Sequence, residues 1–381
     1  MPETSSHKTL CVHSGTIEDP VTHGSITPIY PGTSYAYLDL EKKAYPRYFN
    51  TPNQEALAQK ISALEHGEAG LIFSSGMAAI STTLLSFLHK GDHAIIQNKL
   101  YGGTSNFIAN CFDDFGISHT TTAGLAIDDF DACLQANTRL IYIETPSNPL
   151  LQITDIAAVA ELAKTHGLIS VIDNTFASPI NQNPLDLGID VVVHSATKYL
   201  SGHSDICAGA AVSSTELMQR ILGRAKNFGG SLNAQTCSLL ERSIKTLALR
   251  VEQQNRNAQE IAEYLNSCAH VDKVYYPGLV NHEGHDLAKI QMRGFGGMLS
   301  FELADALDTT VYQKALKLIK PSMSLGGVET TICSAAMTSH AVLSPEEREA
   351  EGIKDSLLRL SVGIEDADDL IADLQNTFAK I

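Results

Sequence analysis

The 381-residue sequence predicts an α/β protein in two parts, a large domain on a mostly parallel sheet followed by a smaller α+β domain. Three observations carry this. Short apolar runs alternate with helical stretches from about residue 53 onward, which is how a sheet covered by helices on both faces reads. Beyond a long helical segment the pattern changes to a few strands and helices in mixed order. The chain is also longer than one typical core supports. The implied boundaries are 1–53 for an N-terminal arm, 54–245 for the large domain and 246–381 for the small domain.

The arm is rich in Pro, Gly, Thr and Tyr and is punctuated by Pro20, Pro28, Pro31 and Pro46. It shows no sustained periodicity, so it is expected to be extended and to pack on another subunit. A helix over 54–65 leads to a strand at 70–73, and the turn Ser74-Ser75-Gly76 opens a helix over 77–88. Further strands are expected at 94–97, 117–121, 140–143, 169–172, 191–193 and 208–212, with helices over 104–115 and 156–166 between them. One helix over about 238–268 leaves this domain. It is followed by strands at 273–276, 297–303 and 357–362 and helices at 311–319 and 366–378. In sheets of this kind reactive residues gather in the loops beyond the strand ends.

Composition removes several classes of function. The net charge of −16 opposes any role that depends on neutralising a phosphate backbone, so nucleic acid is not an expected partner. The N-terminal sequence MPETSSHKTL lacks the apolar core of a signal peptide, and no segment reaches the apolar length of a membrane span. A cytoplasmic protein is expected. The 7 cysteines are scattered and form no C-x-x-C pair, which suits a reducing compartment and casts most of them as small buried hydrophobes. His282 and His285 form an i, i+3 pair with no third ligand nearby, so a solvated loop is expected there and no metal site.

The chemistry concentrates in Asp190 to Ser204, DVVVHSATKYLSGHS. An apolar run delivers a turn bearing Ser195 and Thr197 and then a lone lysine, Lys198, beside Tyr199, Leu200 and Gly202. Lysine is a useful nucleophile when desolvation or a neighbouring cation lowers its pKa, and pyridoxal 5'-phosphate (PLP) exploits such a lysine through a Schiff base. PLP also needs an acid to keep its ring nitrogen protonated. Asp173, at the end of an apolar strand, is placed to be that acid. The Ser74-Ser75-Gly76 turn followed by Met77 offers free amides and a helix dipole to the phosphate. Arg359, inside the apolar run LLRLSV, needs a partner, either an ion pair with Glu365 or Asp366 or the α-carboxylate of an amino-acid substrate. Tyr101 beside Gly102-Gly103 reads by itself as a turn residue.

The run from Asp190 to Ser204 resembles the lysine signature of the Cys/Met-metabolism PLP enzymes, and the resemblance covers nearly the whole chain. It implies the type I PLP-enzyme fold, the fold of aspartate aminotransferase. By resemblance Lys198, Tyr101 and Asp173 are catalytic, Tyr101 stacking on the PLP ring. Gly76, Met77, Asn148, Thr175, Ser195 and Thr197 join them around the cofactor. Tyr45 and Arg47 in YPRYFN resemble a pair that reaches into a neighbouring subunit's phosphate site, which implies a homo-oligomer, a dimer of dimers. The family's usual Asn-Pro-Thr after that arginine reads Asn50-Thr51-Pro52-Asn53 here, one residue longer. Arg359, Ser324 and Asn148 are expected to bind the substrate's α-amino-acid end, and Glu329 the distal ammonium of a substrate such as cystathionine.

The implied function is trans-sulfuration, with γ-elimination from L-cystathionine placed first. Replacement at Cγ of an O-acylhomoserine comes second and β-elimination third. Gly103 stands where the methionine γ-lyases resemble a cysteine-bearing turn, which sets that activity aside. From another reaction class, an aminotransferase would use the same lysine and aspartate. A PLP-binding regulator lacks support, since the sequence has no basic patch.

Overall fold

The computed structural model describes residues 5–304, 307–338, 344–350 and 352–380. Its larger sheet has seven strands: β1 (Ala69–Phe73), β2 (His93–Ile96), β3 (Ser118–Thr121), β4 (Thr138–Glu144), β5 (Ile169–Asp173), β6 (Val191–His194) and β7 (Gly209–Ser213). They lie in the order β1-β7-β6-β5-β4-β2-β3. The pairs from β6 through β3 are parallel, and β7 is antiparallel to both of its neighbours, so β7 alone runs against the rest. Six strands therefore end at one edge, and β7 begins there. The loops at that edge are the ones the sequence marks as reactive.

Helices cover both faces of this sheet. On one face Phe73, Leu84, Tyr142, Val193 and Ile221 share a buried cluster; on the other, Ile143, Ile172 and Val192 pack against Ile156 and Val159. Each strand is thus apolar on both sides, which is why it reads as a continuous apolar run.

A second sheet of five strands, β8 (Val271–Tyr275), β9 (Met298–Leu303), β10 (Lys320–Pro321), β11 (Thr331–Ser334) and β12 (Leu357–Ser361), has the order β10-β11-β12-β9-β8. All its pairs are antiparallel except β10 with β11. One buried cluster runs from Leu57 and Tyr199 through Ile244 and Val251 to Phe301 and Leu358, so the two sheets share a continuous core.

Three local expectations are corrected. The arm is not extended throughout: α1 (His7–His13) buries Cys11 in the shared core, against α2 (Pro52–Leu64) and the helix Leu247–Asn266 of the same chain. The helix expected over 238–268 is two helices, Ala234–Ile244 and Leu247–Asn266, broken at Lys245-Thr246. The Ser243 carbonyl at the break accepts from Thr246 Oγ1 at 3.2 Å and from Arg250 Nη2 at 3.0 Å. The helix expected to reach 319 stops at Ala315, because the Asp373 carboxylate takes the N–H groups of Lys317, Leu318 and Ile319 at 2.9 Å each.

Arg250 links this helical break to the reactive lysine loop. Its buried guanidinium also donates to Tyr199 O at 2.8 Å, next to Lys198. Arg250→Ala would leave buried carbonyls without donors, so a loss of about 2–4 kcal/mol is expected. Urea unfolding of the PLP-saturated protein measures it, and an unchanged midpoint would show that the loop is held by other contacts.

Candidate active site

A cavity of about 590 Å³ opens at the shared edge of the large sheet, walled by loops from both sheets. Among the charged groups in its wall is Asp173, the last residue of β5. Asp173 Oδ1 accepts from Thr175 N at 3.0 Å and Thr175 Oγ1 at 2.5 Å. Thr175 Oγ1 in turn accepts from Ser195 N at 2.8 Å, which ties the aspartate to the start of the lysine loop. Burial pushes the Asp173 carboxyl up, while the Thr175 donors, His194 and Lys198 oppose it. A cation at its open side would reverse the penalty of burial.

Lys198 follows β6 by four residues and projects into the same cavity, where its Nζ donates to Ser324 Oγ at 2.7 Å. Burial lowers its pKa to about 8, and the neighbouring Arg359 guanidinium adds to the effect. About a tenth of the amine is therefore neutral at pH 7, against less than about a thousandth for an ordinary lysine.

Arg359 stands in the middle of β12 and is buried. Its Nη1 donates to Asn148 Oδ1 at 2.9 Å and its Nη2 to Ser324 O at 3.2 Å. The ion-pair alternative is not what forms: Glu365 instead accepts from Thr330 N at 2.6 Å and Thr330 Oγ1 at 2.8 Å. Among the described residues Arg359 Nε has no hydrogen-bond partner. A buried guanidinium with a free donor, facing a cavity and lacking a carboxylate, is a site for an anionic ligand.

At the other end of the cavity α3 (Gly76–Phe87) begins. Ser75 caps it, accepting from Ala78 N at 3.1 Å, which leaves the amides of Gly76 and Met77 to a ligand. The turn is set tightly against its neighbours. A Cβ on Gly76 would lie 2.8 Å from Ser195 Cβ, and one on Gly209 would lie 2.1 Å from Ser75 O. Glycine is the residue that permits both approaches. Ser195 and Thr197 also line the cavity, although Thr197 Oγ1 is engaged with Ala208, donating to its O at 3.2 Å and accepting from its N at 3.0 Å.

The structure thus brings together Gly76, Met77, Tyr101, Asn148, Asp173, Thr175, Ser195, Thr197, Lys198, Ser324 and Arg359 around one cavity. It does not bring Glu329, which is exposed and outside the lining. Tyr45 and Arg47 also lie outside it: both are exposed, and Arg47 Nη1 donates to Lys226 O with its guanidinium 5.8 Å from the Tyr45 ring.

Two ionisable lining residues fall outside the sequence reading, Glu144 and Cys207. Glu144 ends β4 and opens the run ETPSNP. Cys207, grouped with the buried cysteines, is exposed on the cavity wall. His282 is not in a solvated loop; burial takes its pKa down to about 4, and His285 Nδ1 lies 2.7 Å from Pro277 O.

The donor set fits PLP. A buried carboxylate awaits a pyridinium, a helix start with two free amides awaits a phosphate, a lysine of lowered pKa awaits a carbonyl, and a free guanidinium edge awaits a carboxylate.

Comparison with known proteins agrees with this reading. Residues 8–379 match the family described as Cys/Met metabolism PLP-dependent enzyme. A cystathionine β-lyase of Lactococcus lactis subsp. cremoris is 43% identical over 99% of this chain and 100% of its own. A cystathionine γ-lyase of Bacillus subtilis (strain 168) is 42% identical over 98% and 99%. The crystal structure of cystathionine γ-lyase from Lactobacillus plantarum complexed with L-serine superposes with a TM-score of 0.95 at 42% identity, covering 99% of both chains.

The lysine's lowered pKa sets how the apoprotein takes up its cofactor. Only the neutral amine attacks a carbonyl, so the rate of PLP capture is expected to rise about tenfold per pH unit below 8 and level off above it. Stopped-flow absorbance measures the profile. Lys198→Ala should abolish the capture phase, and a profile that keeps rising about tenfold per unit beyond pH 9 would show that the amine is not desolvated.

Proposed function

The chain belongs to the Cys/Met metabolism PLP-dependent enzyme family, and from that premise we propose that its reaction is γ-elimination from L-cystathionine, in which cystathionine and water give cysteine, 2-oxobutanoate and ammonia. PLP, when bound, supplies an electron sink for the charge that develops at Cα. Asp173 holds the ring nitrogen protonated. Arg359 and Asn148 fix the substrate's α-carboxylate, and the amides of Gly76 and Met77 hold the phosphate.

One observation carries the choice of chemistry at Cγ. Such a reaction needs a base that first removes the Cα proton and then works at Cβ. The other acidic groups lining the cavity are tethered, Asp173 by Thr175 and Glu144 by two backbone N–H groups. Lys198 makes a single side-chain contact, to Ser324, and stands on a flexible four-carbon stem. Among the described residues it is the lining group whose lowered pKa and flexible stem best suit it to serve both carbons as a base.

Mass spectrometry of the products tests this directly. With cystathionine as substrate, cysteine and 2-oxobutanoate are expected. Homocysteine and pyruvate would establish β-elimination in its place. Faster formation of cystathionine from an O-acylhomoserine and cysteine would assign γ-replacement, and an oxo acid formed with the C–S bond intact would assign transamination.

We also infer that the catalytic unit is at least a dimer, assembled further as a dimer of dimers. Tyr45 and Arg47 stand outside their own chain's cavity, and the same arm exposes Val21, Ile26, Tyr37 and Leu38, an apolar surface suited to a second copy. Mixing inactive Arg47→Ala chains with inactive Lys198→Ala chains under subunit exchange is expected to restore activity, because one of the two sites in a mixed dimer then receives both native residues. Heterodimers that form and stay inactive would overturn the shared site.

A further inference from the structure

Glu144 is a buried carboxylate that no step above uses. It ends β4, and its two oxygens accept from different loops: Oε2 from Tyr101 N at 2.8 Å, Oε1 from Asn148 N at 3.2 Å. Tyr101 is the residue assigned to the cofactor ring, and Asn148 carries the Arg359 guanidinium. We propose that Glu144 is a positioning residue that holds the ring-stacking tyrosine and the carboxylate clamp in register with each other, so that an amino-acid ligand is presented to the cofactor at a fixed angle.

Three features support this. First, the backbone of Glu144 is itself fixed. The Gln97 side chain brackets it, donating from Nε2 to Glu144 O at 2.8 Å and accepting Glu144 N at Oε1 at 3.2 Å, while Thr154 Oγ1 donates to the same Gln97 oxygen at 3.0 Å. Gln97 follows β2, so the ends of β2 and β4 are locked together before either loop begins.

Second, a carboxylate is a costly way to satisfy two N–H groups. Burial drives the Glu144 carboxyl up, and the facing Asp173 adds to that, while the Tyr101 and Asn148 N–H groups and Arg359 oppose it. An amide offers one acceptor oxygen; a carboxylate offers two, and both are used here. The cost of burying the group, whose pKa is pushed up to about 8, is met for the two acceptor positions it provides.

Third, the contact belongs to a connected set. From Tyr101 N through Glu144 to Asn148, then Arg359, Ser324 and Lys198 Nζ, each member is hydrogen-bonded to the next. The set crosses from one sheet to the other, so a displacement at Glu144 reaches the clamp without touching the ligand.

The inference holds whichever bond of the substrate is cleaved, since it concerns the amino-acid end alone. Its test is Glu144→Gln in the PLP-loaded enzyme, with two unreactive probes: glycine, which has the carboxylate, and ethylamine, which lacks it. Binding is read from the absorption of bound PLP, and ring placement from its circular dichroism. Glycine is expected to bind about tenfold more weakly, as loss of one hydrogen bond to a charged group predicts, while ethylamine changes less than about twofold. The dichroic band should lose amplitude. Equal losses for the two probes, or a lower unfolding temperature with unchanged glycine affinity and dichroism, would overturn the proposal and leave Glu144 a structural residue. Should Glu144→Gln fail to fold, Gln97→Ala loosens the same residue from outside the cavity. It is expected to weaken glycine about threefold with ethylamine unaffected, and unchanged glycine affinity there would overturn the proposal equally.

Discussion

Two carboxylates stand side by side at the ends of adjacent parallel strands, and the site is built around that conflict. Glu144 and Asp173 are register partners of β4 and β5, both buried, and among the described residues neither forms an ion pair with a lysine or arginine. Burial raises both, and the facing Asp173 raises Glu144 further. Every charged neighbour is placed to offset them. Thr175 donates twice to Asp173, two backbone N–H groups serve Glu144, and the cations Lys198 and Arg359 enter the same cavity from other elements. A cofactor pyridinium held at Asp173 would supply the remaining positive charge, so its binding would also relieve the carboxylate pair. Behind the sheet His194 and Glu65 form a second buried pair at 2.5 Å, whose imidazole favours the ionised form of Asp173.

The second sheet brings a cation into the cavity from an element other than the lysine loop. Arg359 is carried on a central strand of the small sheet, and its two recorded partners lie on different sides of the cleft: Asn148 beyond β4, and Ser324 in the loop between β10 and β11. Ser324 has φ of 74°, a left-handed conformation that costs a serine about 1–3 kcal/mol. Its carbonyl takes Arg359 and its hydroxyl takes Lys198, so the two cations of the site hold it there. Strain at this position is thereby coupled to the approach of base and clamp.

Legibility of the site in the sequence tracked how local each signal was. Lys198, Ser195 and Asp173 sit in short segments whose flanking apolar runs announce buried strands, and the strands run where those runs predict. Arg359 declared itself because a charge inside LLRLSV demands a partner, and the partner proved to be a cavity rather than Glu365. Glu144 gave no comparable signal: an acidic residue at a strand end reads as a solvated terminus until the Tyr101 and Asn148 amides are seen to converge on it. Cys207 likewise looks like any small strand residue. The helix break at Thr246 and the early stop at Ala315 depend on contacts from Arg250 and from the distant Asp373, which no local pattern contains. The short β11 was missed because four residues flanked by Thr and Ser carry too little periodicity to be told from a loop.

Lys198 and Arg359 repel one another, yet they share Ser324 as a common acceptor. An amino-acid carboxylate arriving at Arg359 Nε would offset that guanidinium's charge and withdraw one of the two influences that lower the lysine's pKa. The base then becomes a better proton acceptor at the moment a substrate is seated, while burial continues to keep it from being protonated by solvent. A ligand without the carboxylate would leave Arg359 charged and Lys198 the weaker base. On that arrangement, selectivity for α-amino acids would rest on the strength of the base as well as on the fit at Arg359, because both cations meet on Ser324.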